Sequence, residues 1–428
     1  MKKTGRKINN TKINPVKTAL VIIIAVSVLI IGFKLSRSYV SFSGRNSSDT
    51  PKAQKITGPL HTEGMDIFDK KNKKVVIRGI NYAELVSNDF VYVTPDVSKL
   101  PEVCKIWIAA PTKLDAGQVA DWGFNAVRVP VNWHELERVP PKIDEKGIWH
   151  HTWNVKYLQA LDELINQITR QKLAVILDMH QYLWSPAFKY IHSEDGTGCA
   201  GSGFPEWLYP DPSKITFQNA RCDFFKGIKY DQSPVNPQDG FIKVWEFLVA
   251  RYRKNPRVVA ADLINEPWSA KGICNAKDLN LEKFYLKLGK AVQLINPDIL
   301  LIMEDSQDNE ENNFSITGKI PLENWIYAFN LYTLNFQPEG KNRLDKYYER
   351  AQNWNVPLFV GEFDAYGKAA NKFLPNSRWQ NETKQLILYM YEKKINWTFW
   401  AYSGFYSLLQ PNSYLVKEDL LKTLQEGF

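Results

Sequence analysis

Eight short apolar runs recur along the chain: Val75–Ile80, Ala126–Val131, Ala174–Asp178, Val258–Ile264, Ile299–Met303, Trp325–Phe329, Pro357–Val360 and Trp397–Trp400. Runs of this length without regular polar alternation suit strands buried on both faces, as in a parallel sheet covered by helices. Between them the apolar spacing changes. Leu158, Leu161, Leu164, Ile165 and Ile168 recur every three or four residues, as do Phe241, Val244, Trp245, Leu248 and Val249. That is the stripe of a helix burying one side. Strand and helix signals alternating eight times predict an α/β fold, a (β/α)8 TIM barrel.

In such a barrel the chemistry sits where strands end, on the C-terminal face. Polar residues fall at those places: Arg128 within the second run, His180 past the third, Asn265 and Glu266 closing the fourth, Tyr332 past the sixth, Glu362 past the seventh and Trp400 ending the eighth. One polar group at a strand end says little, but a series converging on one mouth predicts a site. Two of these groups are glutamates. Breaking an acetal near neutral pH takes a proton for the leaving oxygen and a negative charge beneath the anomeric carbon. Glu266 and Glu362 are therefore the candidate catalytic pair of a glycosidase.

The segments GFNAVRVPVNW at 123–133, ILDMHQ at 176–181, LINEP at 263–267, VGEF at 360–363 and WTFWAY at 397–402 stand in order on the second, third, fourth, seventh and eighth runs. With them the body from about Gly58 to Phe428 resembles glycoside hydrolase family 5. The resemblance implies a retaining β-glycosidase that needs no metal or organic cofactor and acts on a polysaccharide or oligosaccharide. Glu266 would be general acid and then general base, and Glu362 the nucleophile. Arg128 would hold the charge on Glu362, Tyr332 would donate to it, and Asn265 would reach the sugar 2-hydroxyl. His180 would bind substrate or orient its neighbours, and Trp400 would lie under the sugar ring.

Endo-cleavage of β-1,4-glucan is the first expectation. Mannan, mixed-linkage glucan, xyloglucan, glycolipid heads and transglycosylation stay open. The rival class is a non-catalytic carbohydrate-binding envelope protein, against which both glutamates with Arg128 and Tyr332 speak. One position departs from the family pattern, whose usual His-x-Tyr after strand six is here Asn330-Leu331-Tyr332. Asn cannot ionise but still donates and accepts hydrogen bonds, so altered substrate contacts or an altered pH profile are expected at Asn330.

Plainer roles stand beside these. The glutamates and Arg128 could be buried ion-pair partners, His180 a satisfied core histidine and Trp400 core filler. Trp184, Trp207 and Tyr209, in or near the insertion after the third run, either extend a sugar-binding cleft or fasten the insertion to the barrel. Asp178, Glu304 and Asp305 also lie near strand ends, where no motif gives them a role. None of the six histidines belongs to an HExxH or comparable ligand set, so no metal site is expected.

Composition bounds the rest. Apolar residues make up 44% and charged ones 23% of 428 residues, enough for one large core. The net charge is +8, but residues 1–45 carry nine Lys or Arg and no Asp or Glu, leaving the remainder at −1. A near-neutral body with a basic tail argues against a nucleic-acid groove and for a membrane-topology signal. The chain divides into a basic cytoplasmic tail (1–17), a transmembrane or signal-anchor segment (18–34), a linker (35–57) and the barrel (58–428), expected to be monomeric. The uncharged stretch Thr18–Phe33 is either a retained anchor or a signal-peptide core cut near Ser41-Phe42-Ser43. Both export the body. Four cysteines at 104, 199, 222 and 274 form no CxxC motif, and in an exported chain disulfides are permitted. Cys199 and Cys222 bracket a Gly/Ser/Pro-rich insertion and are the expected bridge, with 104 and 274 left over; free or buried thiols are the alternative.

Overall fold

The computed structural model describes residues 51–83, 113–191, 198–306, 313–332, 338–364, 376–403, 407–410 and 414–428. The basic tail, the apolar segment, most of the linker and Cys104 lie outside them. Among the described residues no helix is long and apolar enough to cross a membrane.

Eight parallel strands close into a barrel: β1 (Arg78–Asn81), β2 (Ala126–Val131), β3 (Ala174–Met179), β4 (Val258–Asp262), β5 (Leu300–Glu304), β6 (Trp325–Leu331), β7 (Leu358–Phe363) and β8 (Asn396–Phe399). Each pairs with its successor, and β8 returns to β1 through Trp397 opposite Arg78. The (β/α)8 barrel is the fold of the body. Every strand residue is buried, because the interior takes one set of side chains and the outer helices cover the other.

The helices form where their apolar stripes demand. Besides α1 (Ala116–Asp121), α2 (Val155–Arg170) buries Leu158, Leu161, Leu164, Ile165 and Ile168 and starts at Asn154, whose side chain accepts from the Tyr157 amide. Such a cap contributes about 1 kcal/mol. After α3 (Phe217–Phe225), α4 (Pro237–Tyr252) has Pro at its start and buries Phe241, Val244, Trp245, Leu248 and Val249. Further along come α5 (Leu281–Ile295), α6 (Pro338–Trp354), α7 (Asn376–Glu392) and α8 (Glu418–Gln425), and a single helical turn, Trp133–Leu136, follows β2.

Strand limits differ from the expected runs by up to three residues. Val75, expected to open the first barrel strand, lies instead in the short strand Lys74–Val75, which pairs antiparallel with Asp66–Phe68, and β1 begins at Arg78. β4 stops at Asp262, two residues short of the expected end at Ile264. Ile67, Val75 and Ile77 join Ile56 and Leu60 in one apolar plug with the first interior residues of the strands. Residues 51–57, at the end of the expected linker, lie on this body. Ala53 and Ile56 are buried, and the Ala53 amide donates to the Gly123 carbonyl at 2.8 Å.

The expected Cys199–Cys222 bridge is overturned, and with it the leftover pairing of 104 with 274: Cys222 is bonded to Cys274. α3, which carries Cys222, packs on the short turn Ala276–Leu279. The spatial neighbour of Cys222 therefore comes from the loop after β4 and not from the insertion before α3.

Candidate active site

Side chains in a strand alternate between faces, so residues two apart share the barrel interior. Ala126, Ile176, Ala260, Ile302 and Ala328 belong to the apolar plug. Two residues further along the same strands stand Arg128, Asp178, Asp262, Glu304 and Asn330, all buried.

Arg128 is the hub. Its Nε donates to Asp262 Oδ2 at 2.9 Å, its Nη1 to Glu362 Oε1 at 2.7 Å and Asn81 Oδ1 at 3.1 Å, and its Nη2 to Asn265 Oδ1 at 3.0 Å and Glu304 Oε1 at 3.2 Å. Asp178 Oδ2 is a further 3.1 Å ion-pair partner of Nη1. Burial opposes the guanidinium charge, but four carboxylates outweigh it and hold Arg128 protonated. They also crowd one another. Burial first, then the charges of Asp178 and Glu362, push Asp262 up to about 7 against the pull of Arg128. Glu304 is raised well above the usual range by burial and by Asp262.

The two glutamates occupy different surroundings. Glu362, on β7, accepts from the Arg128 guanidinium at Oε1 and from the Tyr332 hydroxyl at Oε2 (2.6 Å). Those are donors an anion attracts. Among the described residues Glu266 receives only neutral donors, Asn330 Nδ2 at 3.1 Å and Trp268 Nε1 at 3.2 Å. Burial, then the negative charge of Glu362, raise its pKa above the ordinary carboxylate value.

Glu266 also has left-handed backbone, φ +47°, costly for a residue with a Cβ. Three contacts hold it there. Its amide donates to Glu304 Oε2 at 2.9 Å, and Gln181 Nε2 donates to the carbonyls of Glu266 (2.9 Å) and Asn265 (3.1 Å). The Asn330 amide links the two halves, reaching both Glu266 and Asn265 Oδ1 (3.3 Å). Gly361 makes room for it: a Cβ at that position would stand 2.8 Å from Asn330 Oδ1.

His180 Nδ1 lies 2.8 Å from Asp178 Oδ2 and 3.9 Å from Glu362 Oε1, and its ring stacks on Trp400 with centroids 5.6 Å apart. Burial would lower the imidazole, yet the Asp178 contact outweighs it and holds His180 above the ordinary histidine value. Asp178, His180 and Glu362 form a group of metal-capable side chains among the described residues. The guanidinium of Arg128, in contact with both carboxylates, already stands as their cation.

The structure thus brings Arg128, His180, Asn265, Glu266, Asn330, Tyr332, Glu362 and Trp400 to one mouth. Trp184 is a correction. It is fully buried, stacks on Phe204 at 4.0 Å and donates through Nε1 to the Tyr209 hydroxyl at 2.5 Å. Trp207 Nε1 likewise donates to the Glu137 carbonyl at 2.8 Å. These aromatics fasten the insertion to the barrel; Trp184 has no face left for a sugar. Sequence reasoning missed Gln181, Trp268 and Glu304 as partners of Glu266. The only signal available was position, Gln181 beside His180 and Trp268 two residues after Glu266.

Residues 86–405 match the family model described as Cellulase (glycosyl hydrolase family 5). The chain is 24% identical over 395 residues to an endoglucanase of Paenibacillus polymyxa, covering 84% of this chain and 82% of the relative. It is 24% identical over 391 residues to endoglycoceramidase I of Rhodococcus hoagii, covering 81% and 68%. Among solved structures, an endogalactoceramidase superposes with a TM-score of 0.66 at 18% identity, covering 86% of this chain and 84% of that one. Endo-glycoceramidase II from Rhodococcus sp., as its lactosyl-enzyme intermediate, gives 0.61 at 20% identity, covering 84% and 80%. The structural likenesses speak for the fold.

Proposed function

From the premise that the chain belongs to the cellulase family, glycosyl hydrolase family 5, and is an O-glycosyl hydrolase, we propose that it cleaves β-glycosidic bonds with retention of configuration. Glu266 acts as acid/base and Glu362 as nucleophile. The observation that carries this reading is the unequal treatment of the two carboxyls. Glu362 has a fixed cation and a phenol, whereas Glu266 has burial, neutral donors and a raised pKa. Two neighbouring carboxyls in contrasting surroundings are assigned different tasks.

In the first step Glu362 attacks the anomeric carbon as the C–O bond to the leaving group breaks, and the Glu266 proton passes to the departing oxygen. A glycosyl ester on Glu362 results. In the second, Glu266, now a carboxylate, takes a proton from water, whose oxygen displaces Glu362. Two displacements at one carbon restore its configuration. Fixed donors from Arg128 and Tyr332 keep the nucleophile in place without reorganising. Because Glu266 must be protonated at the start, activity falls as pH rises through its raised pKa.

For the sugar chain, the name of the Paenibacillus polymyxa relative, an endoglucanase, supports endo-cleavage of a glucan, and β-1,4-glucan is the glucan this reading takes. The basic and apolar N-terminal sequence places the body outside the cytoplasm in this reading, anchored or released. The Cys222–Cys274 bridge suits an oxidising compartment.

A 2-deoxy-2-fluoro β-glycoside with an activated leaving group tests the assignment. It is expected to trap an ester on Glu362, located by mass spectrometry of the digested protein, and Glu362→Gln is expected to abolish trapping and lower turnover by at least about 10⁴-fold. An ester on another residue, or an inverted first product by NMR, overturns it.

A further inference from the structure

A cavity of about 500 Å³ has Glu266 in its lining but not Glu362, Arg128 or Tyr332. Since Glu266 gives its proton to the departing oxygen, a cavity that shares this residue faces the leaving group. Its walls are largely apolar, built from Tyr182, Leu183, Phe217, Trp268, Ala270 and Ile273. Tyr182 and Ile273 are among the large hydrophobic side chains left exposed in the described residues. Exposed apolar surface gathered in a concavity marks a binding site.

Of the polar residues in this lining, Gln181, Arg221 and Trp268 bond to the protein, while half-buried Gln218 and exposed Lys271 complete it. Gln181 spends Nε2 on the carbonyls of Asn265 and Glu266 and accepts from the Trp184 amide at 3.2 Å. Arg221 donates to the Ser269 carbonyl at 2.6 Å, and Trp268 Nε1 is bound to Glu266. Where Leu183, Phe217, Ala270 and Ile273 form the wall, it offers no side-chain hydrogen bond to a sugar ring, and a hydrocarbon needs none.

The walls come from different parts of the chain. Phe217 opens α3, while Trp268, Ala270 and Ile273 lie on the loop after β4. The Cys222–Cys274 bond crosses from that helix to that loop. On the third side Leu183 and Trp184 have φ of +53° and +72°, consecutive left-handed residues of a kind that persists where surrounding structure imposes it.

Resting on the retaining-glycosidase reading, we propose that this cavity is a leaving-group site for an apolar alkyl aglycone, with its two walls tied together by the Cys222–Cys274 bridge. The enzyme then releases its sugar chain from an amphiphile as well as from another sugar. The alkyl group departs as the free alcohol carrying the Glu266 proton.

Ethyl, butyl, hexyl and octyl β-glycosides in cellobioside, lactoside and mannobioside series test this. Alkanols of these lengths are near-equal leaving groups, so chain length reports on binding. In the series whose sugar is cut best, kcat/KM is expected to rise about tenfold or more from ethyl to octyl. The octyl-to-ethyl ratio is expected to fall toward one in Ile273→Ser and Phe217→Ser, and to drop in the Cys222→Ser/Cys274→Ser double variant. Should the double variant fail to fold, the exposed Ile273 position still decides.

A flat wild-type ratio overturns the inference and leaves the glycosidase reading standing. So does a rising ratio that ignores Ile273→Ser and Phe217→Ser, because the chain then binds elsewhere. Absence of hydrolysis of every series and of cello-oligosaccharides overturns the reading itself, and the inference with it.

Discussion

The lower and upper layers of the barrel interior are built on the same strands two residues apart, yet they are opposite in character. Below, Ala126, Ile176, Ala260, Ile302 and Ala328 meet Ile56, Leu60 and Ile67 in a plug without a charge. Above, Arg128 faces Asp178, Asp262, Glu304 and Glu362, with Asn330 at the edge. The plug stabilises by removing apolar surface from water, roughly 25 cal/mol per Å². The upper layer crowds four carboxyls around one guanidinium, and among the described residues Asp178 Oδ1, Asp262 Oδ1 and Asn330 Oδ1 have no hydrogen-bond partner. A layer so arranged is a net cost to folding that the rest of the barrel offsets. One step along each strand thus divides stability from chemistry.

The largest expected effect comes from removing the charge that holds the upper layer together. Arg128→Met leaves the carboxylates crowded without their cation. Breaking a buried pair from one side costs about 3–5 kcal/mol, to be read from urea unfolding at pH 7.5. The kcat/KM for the best glycoside should fall by about 10²-fold or more, since Glu362 loses its fixed donor. A variant as stable as the wild type would show that the carboxylates had simply taken up protons, and would erase the contrast between the layers.

Much of this division was legible in the sequence, because fully buried parallel strands are apolar on both faces and stand out as uninterrupted runs. The polar residues that break those runs at their ends, Arg128 and Glu362 among them, marked the mouth for the same reason. What stayed hidden depends on loop paths. Glu304 reads as one more strand-end acid until Glu266 adopts φ +47° and turns its amide toward it across 38 residues. Cys222 meets Cys274 because α3 packs beside the loop after β4, which spacing along the chain does not encode. Trp184 carries both an apolar face and a donor, so its residue type suits a sugar platform and a packed core equally.

An intermediate effect concerns protons. Burial raises Asp262 to about 7 and also raises Glu304, Glu266 and Asp305, whereas unfolded carboxyls ionise near 4. Between those values the native state binds more protons than the unfolded one, so stability falls as pH rises. His180, raised above its unfolded value, adds stability that is full below about 6.5 and lost above, in the same direction. The lowered surface carboxyls Asp144, Asp162, Asp211 and Asp345 act oppositely. Their contribution is present above about 4 and lost only in more acidic solution. The thermal midpoint is therefore expected to drop by a few degrees from pH 5.5 to 7.5, and less in Asp262→Asn. A midpoint that climbs over this range would place the excess charge of the upper layer elsewhere.

The smallest expected effect probes the lower layer where it comes closest to the upper. Ile176 is the backbone register partner of Arg128 on the neighbouring strand, yet it belongs to the plug while the long arginine side chain extends toward the mouth. Ile176→Val removes one methylene from a fully buried site, costing about 0.5–1.5 kcal/mol. The hydrogen bonds of Arg128 all go to polar partners of the upper layer, so none is lost with that methylene. Urea unfolding should register the loss while kcat/KM and the pH–rate profile stay at wild-type values. A fall in kcat/KM of tenfold, with stability little changed, would mean that the plug sets the position of Arg128, joining the two layers into one functional unit.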